Sequence, residues 1–269
     1  MLRLKTKKMY LKRFEKNVKS QFGEDGVVGE IFRRIGTTNR KCVEFGAWDG
    51  LHYSNTWNLW EGKNWEALLI EADPDKYDVL VRNLADFKNV KALNALVSSE
   101  GKDSLENILR RFDYPLDLDL LSVDIDGDDY YIMESLTSYR PRLIIIEYNP
   151  TIPANIELIQ VKGEYFGSSA LSLLRLAHSK SYKLAHLTDT NMFFVSENDF
   201  ANIGFHEPSL GDIFNDKYLS YVISSYGGSL FVVGDSPYGE LERREMSSKH
   251  PKVINVNDIK FEKSVIYKL

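Results

Sequence analysis

Leu143-Ile144-Ile145-Ile146 is the stretch of sequence that indicates the fold most directly. All four residues are apolar, three are β-branched, and no polar residue alternates with them. A strand of this kind is buried on both faces, as in a parallel sheet that carries helices on each side. The run is also far shorter than the roughly 20 apolar residues that cross a bilayer. We therefore expect a central strand and no membrane span.

Short apolar runs alternate with longer amphipathic stretches from Lys41 to Val195. This rhythm is typical of an α/β fold, and the last two runs, joined by Thr188-Asp189-Thr190-Asn191, resemble an antiparallel hairpin. The predicted strands are Lys41–Phe45, Glu66–Glu71, Val90–Val97, Leu118–Asp124, Leu143–Tyr148, Tyr182–Leu187 and Met192–Val195. The predicted helices are Asp25–Ile35, Lys76–Leu84, Ser104–Arg111, Tyr130–Ser138 and Ser168–Lys180.

Composition places the chain among ordinary globular proteins. It has 269 residues, of which 43% are hydrophobic and 27% charged, so a disordered or fibrous chain is excluded. One cysteine, Cys42, excludes an internal disulfide and a zinc site of paired cysteines, and it fits a reducing compartment. No apolar stretch follows the charged N-terminus, so we expect no secretory signal and a cytoplasmic location.

The charge is unevenly distributed. Residues 1–19 hold eight basic residues and one acidic residue, although the whole chain has a net charge of −5. We predict a basic arm over 1–19, a main domain over 20–199 and a C-terminal appendage over 200–269 packed on that domain, with turns at Gly227-Gly228 and Asp235-Ser236-Pro237 and helix around 212–221. The arm is either a solvated terminus or a contact for an anionic partner. The acidic remainder argues against extended nucleic-acid binding.

Ligands of parallel sheets bind beyond the carboxyl ends of the strands. The first predicted strand runs into Gly46-Ala47-Trp48-Asp49-Gly50, whose two glycines either bring the backbone close to a ligand or only form a tight turn. The spacing lacks the three glycines of the dinucleotide fingerprint. Glu44 and Asp49 would repel a pyrophosphate and attract a cation, so this loop favours a cationic ligand.

Two further strands end in single acidic residues. Glu71 follows the second strand, where a carboxylate is placed to accept hydrogen bonds from ribose hydroxyls. Asp73-Pro74 is typical of the N-cap and first turn of a helix. Glu147 ends the fifth strand, where it can supply a metal ligand or contact a substrate.

Four aspartates follow the fourth strand within six positions, at Asp124, Asp126, Asp128 and Asp129. Such carboxylates repel one another unless a cation binds, some protonate or some face water. If the strand continues, Asp124 and Asp126 point to the same side. We predict an oxygen-ligated divalent metal, Mg²⁺ or similar, on Asp124, Asp126 and Glu147. The alternative is acidic enrichment at a helix N-terminus, which accounts for part of Asp128 and Asp129.

At these positions the chain resembles the FkbM-like branch of the class I S-adenosylmethionine-dependent methyltransferases. The resemblance covers roughly Ser20 to Val195 and rests on an ordered set of blocks. These are SQFGEDG at 20–26, VEFGAWDG at 43–50 with Ser54-Asn55-Thr56, IEADP at 70–74, LSVDIDGDDY at 121–130 and IEYNPTIP at 146–153. The chain departs from one common form of the fourth block, which has asparagine where this chain has Asp128.

The resemblance implies a Rossmann-like, seven-stranded, mostly parallel sheet with an antiparallel C-terminal hairpin and helices on both faces. S-adenosylmethionine would lie across the first two strand ends, with Glu71 on the ribose and Gly46 under the methionine. Either Ser54 to Thr56 or the Gln21–Asp25 segment would bind the amino-acid end. The implied cofactor-binding residues are Gln21, Glu44, Gly46, Ala47, Asp49, Ser54, Asn55, Thr56, Glu71, Ala72 and Asp124.

The implied reaction is O-methylation of a sugar or glycan precursor, of a capsule or another surface polysaccharide, with a phosphate-linked acceptor suiting the basic arm. A sugar hydroxyl needs a base, a metal, or both. Asp124, His52 and Glu147 are the catalytic candidates. Among the histidines, His52 follows the first glycine loop and is the best placed to act as a general base, and the alternative is an ordinary, partly exposed loop histidine. Tyr165 and Phe166 lie where an acceptor lid is expected and suit stacking on a sugar ring or simple packing.

Two other functions stay open at the level of sequence. A nicotinamide-dependent enzyme would need the pyrophosphate fingerprint that the chain lacks. A non-catalytic interaction module that retains the fold would bind the cofactor without turnover, or not bind it. The sequence does not indicate how many copies of the chain associate.

Overall fold

A computed structural model describes residues 10–219, 221–224, 226, 230–233 and 252–254. These residues form two compact units. The first contains 10–149 and 154–214, and the second contains 150–153 and the described residues from 215 onward. No helix within these ranges is both long enough and apolar enough to cross a bilayer.

The first unit contains a seven-stranded sheet. Its strands are β1 (Lys41–Phe45), β2 (Glu66–Glu71), β3 (Val90–Asn94), β4 (Leu120–Val123), β5 (Leu143–Glu147), β6 (Tyr182–Leu187) and β7 (Asn191–Ser196). Their order is β3-β2-β1-β4-β5-β7-β6, and β7 runs antiparallel to both of its neighbours. The predicted fold class is confirmed: six strands run in one direction, and the β6–β7 hairpin supplies the antiparallel one.

Most of the predicted helices are present with shifted ends. The helices are α1 (Glu24–Ile35), α2 (Trp57–Trp60), α3 (Pro74–Asn83), α4 (Leu105–Arg111), α5 (Asp129–Ser135), α6 (Ala170–Ser179), α7 (Glu197–Phe200) and α8 (Leu210–Ile213). Helices α2 and α7 were not predicted, because four residues show no helical period. The predicted cap of α3 is confirmed, since Asp73 Oδ1 accepts hydrogen bonds from the backbone N–H groups of Asp75 and Lys76.

The sheet separates two hydrophobic cores. Ile144 and Ile146 pack in the core that includes α4, α5 and α6, whereas Leu143 and Ile145 pack in the core that includes α1, α2 and α3. Successive residues of a strand point to opposite faces. Both faces of β5 are therefore covered, which is why its sequence is continuously apolar, as predicted.

The described half of the predicted basic arm lies against this unit. Leu11 is fully buried in the same core as α1. The carbonyl of Lys16 accepts a hydrogen bond from Gly26, and Glu15 Oε1 lies 2.9 Å from Nε2 of the buried His186 on β6. Residues 1–9 of the arm lie outside the described residues.

The second unit contains a three-stranded antiparallel sheet. A 3₁₀ turn at Asp216–Tyr218 precedes β8 (Tyr221–Ser224), β9 (Leu230–Val233) and β10 (Lys252–Ile254), in the order β10-β9-β8. The prediction of helix around 212–221 was wrong for most of that range. The Asn215 side chain caps a separate turn by accepting the Lys217 N–H, and an extended strand begins at Tyr221. The predicted turns at 227–228 and 235–237 lie outside the described residues.

Acid should destabilise the first unit through Glu30. Hydrogen bonds from Arg33 lower the pKa of Glu30 to about 2, against the opposing effect of burial, and Arg34 adds to them. The carboxylate therefore stabilises the fold above its ordinary pKa of 4.5, and this contribution is lost as the pH falls towards 2. We expect Glu30→Gln to lose about 1 kcal/mol at pH 7.

Urea denaturation from pH 7 to pH 2 measures this effect. The stability difference between wild type and Glu30→Gln should close as the pH falls from 4.5 towards 2. Glu61→Gln, at an exposed position, should follow the wild-type curve throughout. A difference that stays constant across this range would show that Glu30 does not act through its charge.

Candidate functional site

Acidic side chains from neighbouring strands meet at the carboxyl edge of the sheet. Glu44, Glu71 and Glu147 lie near or at the ends of β1, β2 and β5. The residues two positions earlier, Cys42, Leu69 and Ile145, belong to the core with α1, α2 and α3. By the two-residue period of a strand, all three carboxylates point to this same face. The sheet thus gathers the predicted acids along one edge.

Glu44 is buried, and its carboxylate holds the loop before α2. It accepts hydrogen bonds from Ser54 Oγ at 2.7 Å, Asn55 N at 2.7 Å and Thr56 Oγ1 at 2.5 Å. Burial raises the pKa of Glu44 although these bonds oppose the shift. Asn55 Nδ2 also donates to Ser122 Oγ on β4 at 3.1 Å. The polar groups of residues 54–56 therefore form hydrogen bonds within the protein, and Glu44 holds this loop in place by accepting three of them.

Gly46 lies where β1 leaves the sheet beside the end of β4. Its φ is +73°, and a Cβ atom there would lie 1.6 Å from the carbonyl oxygen of Asp124. No side chain fits that space without moving the backbone of one strand end. The sequence left open whether this glycine allows a tight turn or a close approach to a ligand. In the structure Gly46 adopts a φ that favours glycine, and the group that its backbone approaches is the carbonyl of Asp124.

Asp49 closes the same loop on itself. Its Oδ1 accepts the Leu51 and His52 N–H groups at 2.9 and 2.8 Å, and its Oδ2 lies 2.5 Å from His52 Nδ1. Burial alone would raise the pKa of Asp49, but the hydrogen bonds from His52 and Leu51 outweigh it and lower that pKa. His52 is thereby oriented by a carboxylate, with its side chain largely exposed.

Glu71 is held by two backbone amides from two loops. Its Oε2 accepts the Trp48 N–H at 2.7 Å and its Oε1 accepts the Asp73 N–H at 2.9 Å. Each carboxylate oxygen can accept a second hydrogen bond. The geometry thus fixes the orientation of the carboxylate and leaves acceptor capacity for a pair of hydroxyls. Ala72 and Gln21, also predicted at the cofactor, are exposed.

Asp124, Asp126 and Glu147 form what we call the acidic cluster, since one oxygen of each lies within 4.8 Å of the others. The predicted group is thus brought together, but the predicted reason was wrong. β4 ends at Val123 and Asp126 adopts a left-handed φ of +57°, so a turn, and not strand alternation, returns Asp126 towards Asp124. His52 is not a member of the cluster.

Electrostatic repulsion is strong around the acidic cluster. Burial raises the pKa of Asp124 well above its usual range, and the charges of Asp129 and Asp126 add to the shift. Burial likewise raises the pKa of Asp129 to about 6, although Asp129 accepts the N–H groups of Ile125 and Gly127. Within the described chain, no lysine or arginine forms an ion pair with Asp124 or Asp126. A cationic ligand would relieve this repulsion.

Residues 154–168, between β5 and α6, form a segment that is fastened beside the cluster. The buried Gln160 donates from Nε2 to Asp128 Oδ1 at 2.9 Å and accepts the Gly167 N–H at 2.7 Å. Asp128 also accepts the Gly163 N–H. Tyr165 on this segment is 79% exposed, and partial burial together with the charge of Asp126 raises its pKa to about 12. Asp128 thus anchors the segment.

Glu24 and Asp25, in the segment predicted to bind the amino-acid end, are buried at this edge, and so is Asn191, which was not predicted from the sequence. Glu24 accepts a hydrogen bond from Thr188 Oγ1 at 2.6 Å. Asp25 Oδ2 accepts three backbone N–H groups, from Val18, Lys19 and Ser20, while no described group donates to its buried Oδ1. Asn191 begins β7 opposite Glu147. An asparagine at the end of a turn gives no sign of function in the sequence. The one available signal was its position two residues before the buried Phe193, which puts both side chains on the same face of the strand.

Comparisons with known proteins give likenesses among solved structures only. No family model and no curated protein matches the chain. The chain is similar to the N-terminal domain of EvdMO1 with SAH bound, at 11% identity and a TM-score of 0.43, over 64% of this chain and 79% of that one. It is similar to a SAM-dependent methyltransferase from Aquifex aeolicus, at 10% identity and a TM-score of 0.38, over 68% and 94%.

A third similar structure is the CMeT domain of the citrinin polyketide synthase, at 10% identity and a TM-score of 0.44. That match covers 64% of this chain and 51% of the other, so this chain spans about half the length of that protein. These likenesses are weak. The functional conclusion depends on the residues at the carboxyl edge of the sheet.

Proposed function

We propose that this chain is an S-adenosylmethionine-dependent O-methyltransferase of the FkbM-like branch. The observation that carries the proposal is the placement of Glu71. Its carboxylate ends β2, is oriented by the Trp48 and Asp73 N–H groups, and keeps acceptor capacity for two ribose hydroxyls. The neighbouring β1 loop offers Asp49 and no pyrophosphate fingerprint, which favours this cofactor over a nicotinamide dinucleotide.

In this proposal the Gln21–Asp25 segment binds the amino-acid end of the cofactor. Ser54, Asn55 and Thr56 direct their polar groups to Glu44 or Ser122. Asp25 retains an oxygen to which no described residue donates, and its charge contributes to the raised pKa of Glu44. A carboxylate with a free acceptor position suits an ammonium group. Gly46 and Ala47 would then contact the cofactor through their backbone.

When bound, S-adenosylmethionine supplies a methyl group on a sulfonium, so the protein must orient an acceptor and receive its proton. Asp124 is the leading base in this proposal, because it directly follows β4 next to the end of β1, where the cofactor is proposed to lie. Glu147 is the second candidate, in the same cluster. His52, oriented by Asp49, is the third. Asp124, Asp126 and Glu147 are also the proposed ligands of a divalent metal.

The acceptor we propose is a hydroxyl of a sugar or glycan precursor. Tyr165 and Phe166 are both exposed on the segment that Gln160 fastens beside the acidic cluster. Flat exposed side chains at that position suit stacking on a sugar ring. A precursor of a surface polysaccharide, phosphate-linked and recognised in part by the basic arm, is the specific form of this proposal.

Isothermal titration of the whole chain with S-adenosylmethionine, and separately with NAD, tests the proposal. Each titration is run with and without Mg²⁺. We expect micromolar binding of S-adenosylmethionine and no binding of NAD. Conversion to S-adenosylhomocysteine should then depend on an added acceptor from a panel of nucleotide sugars and sugar phosphates.

The rival reading is an interaction module that retains the fold. It predicts cofactor binding without turnover on any acceptor, or no binding. Absence of S-adenosylmethionine binding under every condition would overturn the methyltransferase proposal and favour the module.

A further inference from the structure

Asn191 carries a buried polar group that the hydrogen bonds of the described chain leave unused. Its side chain is at the first position of β7, and the residue is only 4% exposed. Its Nδ2 is 3.4 Å from Thr190 Oγ1, and no group in the described residues donates to its Oδ1. A buried amide oxygen without a partner costs stability, so an uncompensated one suggests a bound ligand.

Register places this amide beside Glu147. Asn191 pairs with Glu147 across the antiparallel β5–β7 ladder. Directly opposed residues of such a pair have Cβ atoms about 5 Å apart on the same face of the sheet.

Strand parity agrees with the register. Phe193 and Val195, two and four residues after Asn191, lie in the core with α1, α2 and α3, and so do Leu143 and Ile145, which precede Glu147. The amide and the Glu147 carboxylate therefore lie on the same face of the sheet, so the orphaned oxygen is on the face that carries Glu147 of the acidic cluster.

We propose that Asn191 Oδ1 completes a four-oxygen site for a divalent cation with Asp124, Asp126 and Glu147. Carboxylate and amide oxygens are the ligands that hard divalent cations take in proteins. Opposite oxygens around Mg²⁺ or Mn²⁺ lie about 4.2 Å apart, twice the usual metal–oxygen distance. The three carboxylate oxygens already lie within 4.8 Å of one another, so little contraction is needed.

This site deepens the proposed function, and the role of the cation rests on that function. A cation held here would place positive charge where the sheet edge must receive the acceptor hydroxyl, and would make that hydroxyl easier to deprotonate. It would also neutralise the carboxylates of Asp124 and Asp126. Among the described residues, neither forms an ion pair with a lysine or an arginine. Binding of the cation itself does not require the cofactor.

Mn²⁺ binding to the whole chain tests the site. A chelator first removes any bound metal, Mn²⁺ is then added, and electron paramagnetic resonance measures how much of it binds. We expect one tight Mn²⁺ site in wild type and at least about tenfold weaker binding in Asn191→Leu, which keeps the shape and removes the oxygen. Asn191→Asp restores an oxygen and should bind Mn²⁺ at least as tightly as wild type. Asn198→Leu, the same change at an exposed asparagine, should bind as wild type.

Thermal unfolding separates a ligand from a structural amide. Without metal, Asn191→Leu should be as stable as wild type or more stable, because a buried unsatisfied group is replaced by an apolar one. Added Mn²⁺ should raise the Tm of wild type and leave that of Asn191→Leu nearly unchanged. A metal-free Asn191→Leu that is much less stable would show a structural role and overturn the inference.

Three results would overturn the metal site: no Mn²⁺ binding by wild type, equal binding by Asn191→Leu, or weaker binding by Asn191→Asp. Titration of the same samples with S-adenosylmethionine keeps the two proposals apart. Cofactor binding without Mn²⁺ binding removes only the metal site, whereas Mn²⁺ binding without cofactor binding removes only the methyltransferase proposal.

Discussion

Gly46→Ala should cost more stability than any other glycine-to-alanine change for which the structure shows the surroundings. The added Cβ would lie 1.6 Å from the carbonyl oxygen of Asp124 and 2.8 Å from its carbonyl carbon. Backbone atoms cannot move aside as a flexible side chain does, so the β1 and β4 ends must separate. We expect a loss of more than about 4 kcal/mol, or failure to fold.

Gly101→Ala is the matched control, because it isolates the cost of a positive φ. Gly101 has a φ of +80°, close to the +73° of Gly46, but nothing lies within 4 Å of the position that an added Cβ atom would take. Left-handed backbone alone costs about 1–2 kcal/mol in a residue with a side chain. Urea denaturation followed by circular dichroism measures both variants. Equal losses would show that the contact with Asp124 is not what requires glycine.

The sequence predicted the centre of the sheet well because the central strands are buried on both faces, whereas the partly exposed edge strand β3 ends at Asn94 and not at the predicted Val97. β1, β2 and β6 begin and end at the predicted residues, and continuous apolar runs such as Leu143 to Ile146 indicated central strands. The antiparallel hairpin followed from the short turn between two such runs. Local pattern is sufficient there, because burial dictates residue type at every position.

The site was predictable as a set of strand ends and not as a set of contacts. Glu71 and the acidic cluster come together because the carboxyl ends of parallel strands share one edge. Which carboxylate faces a ligand was not predictable. Glu44 has three donors from the loop at residues 54–56, which lie ten to twelve positions away in sequence, and such a long-range commitment leaves no local pattern.

Asn191 and Gln160 were not predicted as part of the site, because their contacts also depend on residues far away in the sequence. Neither residue type signals function in a turn or a loop, and each acquires its role from a partner on another element. Gln160 meets Asp128 across 32 positions, and Asn191 faces Glu147 through the register of the hairpin. A contact that depends on register requires the fold before it can be recognised.

Glu71→Ala should weaken binding of S-adenosylmethionine by about 100-fold. The proposed function gives this carboxylate two hydrogen bonds from ribose hydroxyls, and hydrogen bonds to a charged group contribute about 1.5–3 kcal/mol each. Loss of both corresponds to at least about two orders of magnitude in the dissociation constant. Glu71→Gln keeps one acceptor oxygen and should lie between the variant and wild type. Isothermal titration measures all three.

Glu66→Ala is the control on the same strand. Glu66 begins β2 at the opposite edge of the sheet, where it forms an ion pair with Lys41 at 2.8 Å. The same residue type is thus removed from the same strand without touching the carboxyl edge. Its affinity for S-adenosylmethionine should equal that of wild type.

The ribose contact and the loop contact of Glu71 can be separated by the ligand. Glu71 also accepts the Trp48 and Asp73 N–H groups, so Glu71→Ala loosens two loops as well. If the carboxylate binds ribose, adenosine should lose affinity by the same factor as S-adenosylmethionine, because the ribose is common to both. A variant that melts earlier but binds both ligands as wild type does would limit Glu71 to holding the loops, and the cofactor would then have to be bound from another strand end.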